Sequence, residues 1–363
     1  METAVMSLDL RLLDLMNIDL PIIQAPMAGA NGSAMTIAVS NAGGLGSLPC
    51  AMLDAEQART ELGVIRQQTA KPINVNFFCH TPTEPSPKRE AAWRKELSDY
   101  YEEFDIDPSI AVPSPNRAPF DDALCNVVEE FKPEVVSFHF GLPDPSLVKR
   151  VKAVGCKIIS SATTVEEAKH LEANGCDAII AQGYEAGGHR GMFLTGDITT
   201  QAGTVALVPQ VVDAVSIPVI AAGGIADGRG IAAAFMLGAS AVQIGTAYLL
   251  TPEALITDLH REALRNARDD QTALTNLFSG RPARGLLNRI MRDIGPMSNA
   301  TPAFPTAGGA LAPLKAKAEE KGSADFSSLW SGQAASLGAE INSADLTRHL
   351  MIDAKRCLNA TSL

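Results

Sequence analysis

His189 has the most distinctive chemical setting in the chain. It stands in Ala181-Gln182-Gly183-Tyr184-Glu185-Ala186-Gly187-Gly188-His189-Arg190-Gly191, with three glycines close by. An imidazole that titrates near ~6.5 can give or take a proton around neutrality, and such permissive backbone lets a bound molecule come close. A second signal lies downstream, between Ile217 and Thr246. One apolar run ends in Gly223-Gly224, a helical pattern follows, and the next run ends in Gln243-Ile244-Gly245-Thr246, placing two glycine turns 21 residues apart. Glycines there expose bare backbone N–H groups to an anion, and Thr246 can add a hydroxyl donor. Together these residues point to proton transfer beside a phosphate-bearing ligand. The plainer alternative is glycines that only end strands and a histidine in a surface loop.

Other polar residues sit where apolar ones are expected. His139, in Ser137-Phe138-His139-Phe140-Gly141, is awkward for a buried strand unless it points into a pocket, which makes it a candidate substrate contact. Asn76, between Val75 and Phe77, and Gln182, at the end of its run, are buried amides that must find partners. They would either tie strands together or meet the edge of a planar ring. His170, His260 and His349 lie in charged helical contexts and read as solvated, and His80 is ambiguous. No Cys/His cluster or His-Glu-x-x-His run suggests a metal, and no Gly-x-x-x-x-Gly-Lys-Ser/Thr loop suggests a nucleoside triphosphate. Flavin mononucleotide suits such a site; a sugar phosphate would suit it equally.

Positioning these groups requires a repeating framework. Apolar runs at Pro21–Pro26, Leu45–Cys50, Ile73–Phe78, Val135–Gly141, Cys156–Ala162, Ala178–Gly183, Pro218–Gly224 and Ala241–Thr246 lack alternation, as strands buried on both faces do. Helical segments such as Val165–Asn174 and Gly228–Leu237 lie between them and stop at Gly175 and Gly238. From 135 onward the strand starts are spaced 21, 22, 40 and 23 residues apart, and the long step carries the His189 loop. Eight βα units predict a (β/α)8 TIM barrel, an α/β fold with its site at the C-terminal strand ends. A doubly wound open sheet is the weaker alternative, since no Gly-x-Gly-x-x-Gly turn follows the first strand. The predicted barrel spans residues 1–250, with an insertion at about 80–122 after the third strand. Residues 251–363 form a mainly helical C-terminal cap over the site.

Composition sets the outer limits. The 363 residues suit a large barrel with additions, and 46% hydrophobic residues mark a globular chain. A formal charge of -11 argues against nucleic acid as a partner. Six sparse cysteines argue against a disulfide scaffold and fit a reducing compartment, here the cytoplasm. Met1–Asn17 lacks the basic start of a secretory leader. The uncharged stretch Gly230–Pro252 is broken by Gly238, Ser240, Gln243 and Gly245, so it reads as a buried helix running into a buried strand and not as a membrane span. A monomer and a homodimer are both compatible with this reading.

The same residues resemble the nitronate monooxygenases, formerly called 2-nitropropane dioxygenases. The likeness runs through Gln24-Ala25-Pro26-Met27-Ala28-Gly29, Gly43-Gly44-Leu45-Gly46, Asn74-Val75-Asn76 and the Glu185–Gly191 loop. It continues through Ala222-Gly223-Gly224-Ile225 and Gln243-Ile244-Gly245-Thr246 to Leu329-Trp330-Ser331-Gly332-Gln333, nearly the whole chain. The resemblance implies FMN as cofactor, with a small nitronate and O2 as partners. It implies that His189 is catalytic and that Asn76 and Gln182 contact the flavin. Gly187 and Gly188 would form the loop beneath it, and Gly223, Gly224, Gln243, Ile244, Gly245 and Thr246 would hold its phosphate end. Ala25, Pro26 and Met27 would run under the ring. The related FMN-dependent enoyl-[acyl carrier protein] reductases share the Gly-Gly-His loop, and a NAD(P)H:quinone reductase is a third reading. A non-catalytic phosphate-ligand binding protein is a rival of another class. Chemistry like that of IMP dehydrogenase is disfavoured, because Gly183–Gly203 holds no nucleophilic cysteine.

Overall fold

The computed structural model describes residues 8–84, 86–111 and 117–360. Of the stretch read above for a leader, residues 1–7 lie outside these.

Eight parallel strands form the centre: β1 (Ile22–Gln24), β2 (Gly46–Pro49), β3 (Ile73–Phe78), β4 (Val135–His139), β5 (Lys157–Ala162), β6 (Ala178–Gln182), β7 (Val219–Ala222) and β8 (Ala241–Ile244). They run in the order β1-β8-β7-β6-β5-β4-β3-β2. A parallel bridge between Ile23 and Leu45 closes the ring, supported by the Gln24 N–H donating to the Leu45 carbonyl at 3.0 Å. This is a TIM barrel.

The strands are apolar on successive positions because each has two buried faces. Ile23, Val135, Ile159, Ile180, Ile220 and Ala241 fill the ring, plugged from below by Leu12 and Met16 of the helix Arg11–Met16. Their neighbours Ile22, Val136, Ile158, Ile179, Val219 and Val242 face outward under the helices. The helices start where polar side chains can cap them. Asp54 and Gln57 form a reciprocal capping box on Ala55–Gln68, and Thr164 and Asp227 cap Val165–Ala173 and Gly228–Met236. The stretch Gly230–Pro252 is part of that last helix followed by β8, and among the described residues no helix is long and apolar enough to cross a membrane.

Two additions to the barrel pack against each other. The insertion after β3 contributes the helices Pro87–Glu96 and Ser98–Glu103. They pack against the C-terminal segment through Trp93, Leu97, Tyr101, Leu277, Leu314 and Phe326. Trp93 Nε1 donates to the Ala307 carbonyl at 2.9 Å, and the Tyr101 hydroxyl donates to the Ala310 carbonyl at 2.6 Å. The C-terminal segment also carries a hairpin, Thr272–Thr275 and Ala283–Leu286, whose second strand pairs antiparallel with the short strand Gly188–His189. Its final helix, Ser343–Asn359, leaves the mouth and lies on the barrel flank. There a Cβ on Gly228 would sit 2.4 Å from the Asp353 carbonyl carbon, so Gly228 permits the close contact.

Candidate active site

A cavity of about 1270 Å³, its open mouth included, lies at the C-terminal ends of the strands, on the face where barrels of this kind hold their sites. Period-two alternation decides what reaches it. Asn76, His139, Gln182 and Gln243 are placed on its wall by β3, β4, β6 and β8. The β1 end contributes Ala25, Pro26 and Met27, and the loop after β6 contributes Gly187, Gly188 and His189. Gly223, Gly224, Gly245 and Thr246 form the far wall. Ile244 does not reach the cavity. Next to inward Gln243 it must point the other way, and it is fully buried under the outer helices, so only its backbone touches this end of the barrel, where its carbonyl accepts from Ala25 N–H at 2.8 Å.

The far wall is made of backbone. Gly223 and Gly224 have φ of +113° and +70°, a region that side chains disfavour. Their N–H groups, like that of Gly245, find no acceptor among the described residues. A Cβ on Gly187 would lie 2.5 Å from Gly332 N and 2.6 Å from the Ser331 carbonyl carbon, so only glycine lets these two segments close. Gly332 N–H donates to Thr246 Oγ1 at 2.9 Å. The Glu185 carboxylate faces away from the cavity wall, accepting from Thr204 N–H (2.9 Å) and Thr204 Oγ1 (2.9 Å). Gln243 Oε1 is buried on this wall without a partner, a polar atom that in a native interior ordinarily marks a missing hydrogen-bond donor. The Asn76 amide nitrogen donates to Ser137 Oγ at 2.9 Å, and among the described residues none donates to its Oδ1. Bare amides at one end and unpartnered amide oxygens along the side suit a ring with N–H edges and an anionic tail.

His189 is held from three directions. Its strand pairs with Ala283 and Arg284, and Arg190 N–H donates to the Pro282 carbonyl at 2.9 Å. Its own carbonyl accepts from Gln182 Nε2 at 3.0 Å, while Gln182 Oε1 accepts from Gly191 N–H at 2.7 Å. Both ends of the Gln182 amide are therefore engaged in shaping the loop. The buried Arg190 pins the loop base by donating to the Gln182 carbonyl at 2.7 Å and to Gln201 Oε1. On the ring itself, Nε2 lies 2.8 Å from the buried Ser279 hydroxyl, which is also 3.3 Å from the Arg281 carbonyl. With the hydroxyl donating to that carbonyl, Nε2 carries the proton and Nδ1 the lone pair. Burial, then the charges of Arg117 and neighbouring groups, hold His189 well below the ordinary histidine range, so it is neutral near pH 7.

His139 lines the cavity but has both ring nitrogens occupied. Nδ1 meets Ser161 Oγ at 3.0 Å and Nε2 the His189 carbonyl at 3.3 Å, leaving it a brace for the loop and not a free donor to substrate. Burial pushes it down to about 3. His260 corrects the solvated reading. It is buried, with Nε2 on the Trp330 carbonyl at 3.1 Å, and desolvation lowers it to about 4. His170 and His349 are exposed, and His80 is buried beside Phe304.

Several wall residues escape sequence reasoning. Trp330 stacks 5.4 Å from the His189 ring, and Phe78, Phe140 and Phe304 surround it at 6.3, 6.0 and 5.5 Å. Trp330 lies in the noted Leu329–Gln333 run, but nothing local marks Ser279 or Phe304.

Comparison with known proteins fits this geometry. The family model described as nitronate monooxygenase matches residues 10–353. A protein named nitronate monooxygenase from Pseudomonas aeruginosa is 45% identical over 339 residues, 93% of this chain and 97% of that one. Nitroalkane oxidase from Streptomyces ansochromogenes superposes with a TM-score of 0.87 at 37% identity, covering 97% of this chain and 99% of the other. FabK from Thermotoga maritima superposes at 0.72 with 30% identity, covering 98% of each.

Proposed function

This chain belongs to the nitronate monooxygenase family, and we propose that its cavity holds FMN and that it oxidises alkyl nitronates with O2 to a carbonyl compound and nitrite. The observation that carries the reading is the meeting of a glycine-built anion cradle and a half-buried, neutral histidine on the walls of one cavity.

Bound FMN would supply an electron acceptor that O2 can reoxidise. The protein's own part is placement. The Gly223, Gly224 and Gly245 amides would take the phosphate, with Gln243 and Asn76 along the ring and Ala25–Met27 beneath it. Phe78, Phe140, Phe304 and Trp330 exclude water from the space beside His189. With a neutral nitroalkane, the lone pair on His189 accepts the α-proton. With a nitronate that proton is already gone, and His189 has only a positional role.

A simple experiment tests the reading. The purified protein is expected to be yellow and to lose that colour when mixed anaerobically with ethylnitronate but not with NADH. Bleaching by NADH alone would move the assignment to a reductase. A colourless protein that never takes up FMN would remove both.

A further inference from the structure

Two arginines at the aromatic side of the cavity have no described role. The Cζ atoms of Arg117 and Arg281 each lie 5.8 Å from the centre of the Phe304 ring, which is itself 5.5 Å from the His189 ring. Arg117 lines the cavity, and Arg281 packs behind its wall with Phe140 and Phe304. Arg281 stacks 4.2 Å over Phe140 and donates to the Met192 carbonyl at 3.3 Å. Phe140 reaches that position from a left-handed backbone, φ +70°, where a bulky residue is strained. Among the described residues neither arginine has a carboxylate within 4.0 Å, although the basic groups of the outer surface are widely paired. Glu167, which also acts on Arg281 electrostatically, is tied to Thr163 and to the Phe193 and Leu194 amides.

The buried Arg190 and Arg284 also lack carboxylates, but their guanidinium N–H groups are taken up by carbonyl, amide and hydroxyl oxygens, whereas the Arg281 guanidinium makes one hydrogen bond and that of Arg117 none among the described residues. Aromatic faces hold the latter two in place, but a ring quadrupole does not neutralise a charge. We propose that Arg117 and Arg281 form the receptor for the negative charge of the substrate and set the preference for an anionic nitronate over its neutral nitroalkane. The inference rests on the activity proposed above and assigns its charge recognition to residues other than His189. Both arginines are among the groups that hold His189 neutral, so the imidazole cannot supply that charge itself. The same two cations draw in the anion and keep the nearby base unprotonated.

The test uses the FMN-loaded protein with Arg117→Met, Arg281→Met and Arg281→Lys. Ethylnitronate and nitroethane share a carbon skeleton and differ in charge, and nitrate serves as a planar anionic probe for calorimetry. Each methionine variant is expected to lower kcat/KM for ethylnitronate at least about tenfold, the scale of a lost charge-assisted contact. Nitroethane, uncharged until His189 takes its α-proton, should keep its KM within about twofold, nitrate affinity should fall in parallel with ethylnitronate, and Arg281→Lys should retain most of both. Flavin absorbance and the melting temperature check that the fold is kept. An equal rise in KM for both substrates, or no change for ethylnitronate, would overturn the proposal. Nitrate binding that depends on the arginines in a protein inert toward ethylnitronate would leave this anion site standing and remove the activity. Nitronate turnover with arginine-independent nitrate binding would do the reverse.

Discussion

The two ends of the cavity are built from different materials. The Gly223–Gly224 and Gly245–Thr246 end is backbone, with glycines at φ +113° and +70° and one orphaned amide oxygen on Gln243. The other end is side chain: His189, Phe78, Trp330 and Arg117 on the wall, with Phe140, Phe304 and Arg281 packed behind them. Backbone amides recognise an anionic group of fixed geometry wherever the chain turns tightly, so that end suits an unchanging cofactor. Side chains can be exchanged without disturbing a turn, so the other end is where substrate choice resides.

If the division is real, substitutions at the two ends should separate cofactor retention from turnover. His189→Asn should retain flavin while nitroethane turnover falls at least about a hundredfold, the scale of general acid–base assistance. Steady-state rates and flavin absorbance measure both, and unchanged turnover would make the histidine a spectator. Gly187→Ala should act in the opposite sense. The added methyl meets backbone at 2.5 Å, and the overpacking should cost about 1–3 kcal/mol, weakening FMN roughly ten- to a hundredfold in a fluorescence titration. Normal FMN affinity in that variant would show that the loop is not a tight seat.

A third expected effect, on stability and not on turnover, concerns the whole side-chain end. Burial pushes His139 down to about 3 and His80 to about 4, and His189 lies well below its ordinary range. The unfolded chain takes up these protons near pH ~6.5 and the folded one does not. Their stabilising contribution is thus complete above that pH and is lost as the pH falls toward 4. Each ring that stays neutral down to pH 5 costs up to about 2 kcal/mol there, so melting temperatures should drop by several degrees between pH 7.5 and 5. A flat profile would mean that these rings are protonated in the fold.

The backbone end was readable from sequence because its signals are local. The glycine pairs end strands, and the strand runs lie where the barrel strands are found. Ile244 is wrongly counted with the phosphate-holding residues, although alternation that turns Gln243 inward must turn its neighbour out. His260 was obscured by its charged neighbours Asp258, Arg261 and Glu262, yet its i,i+4 relation to buried Leu264 marks the inner helix face. The side-chain end could not be read in the same way. Phe78, Arg117, Phe140, His189, Arg281, Phe304 and Trp330 come from seven separated segments, and only the fold brings them together. The contact of Trp93 with Ala307 joins two regions whose local patterns say nothing of each other.

The most direct test is a crystal structure of the protein supplied with FMN. The flavin phosphate should lie within hydrogen-bonding distance of the Gly224 and Gly245 amides, with the ring reaching past Gln243 to face His189. A phosphate at Arg117 and Arg281, or a flavin bound outside this cavity, would contradict the division between the two ends.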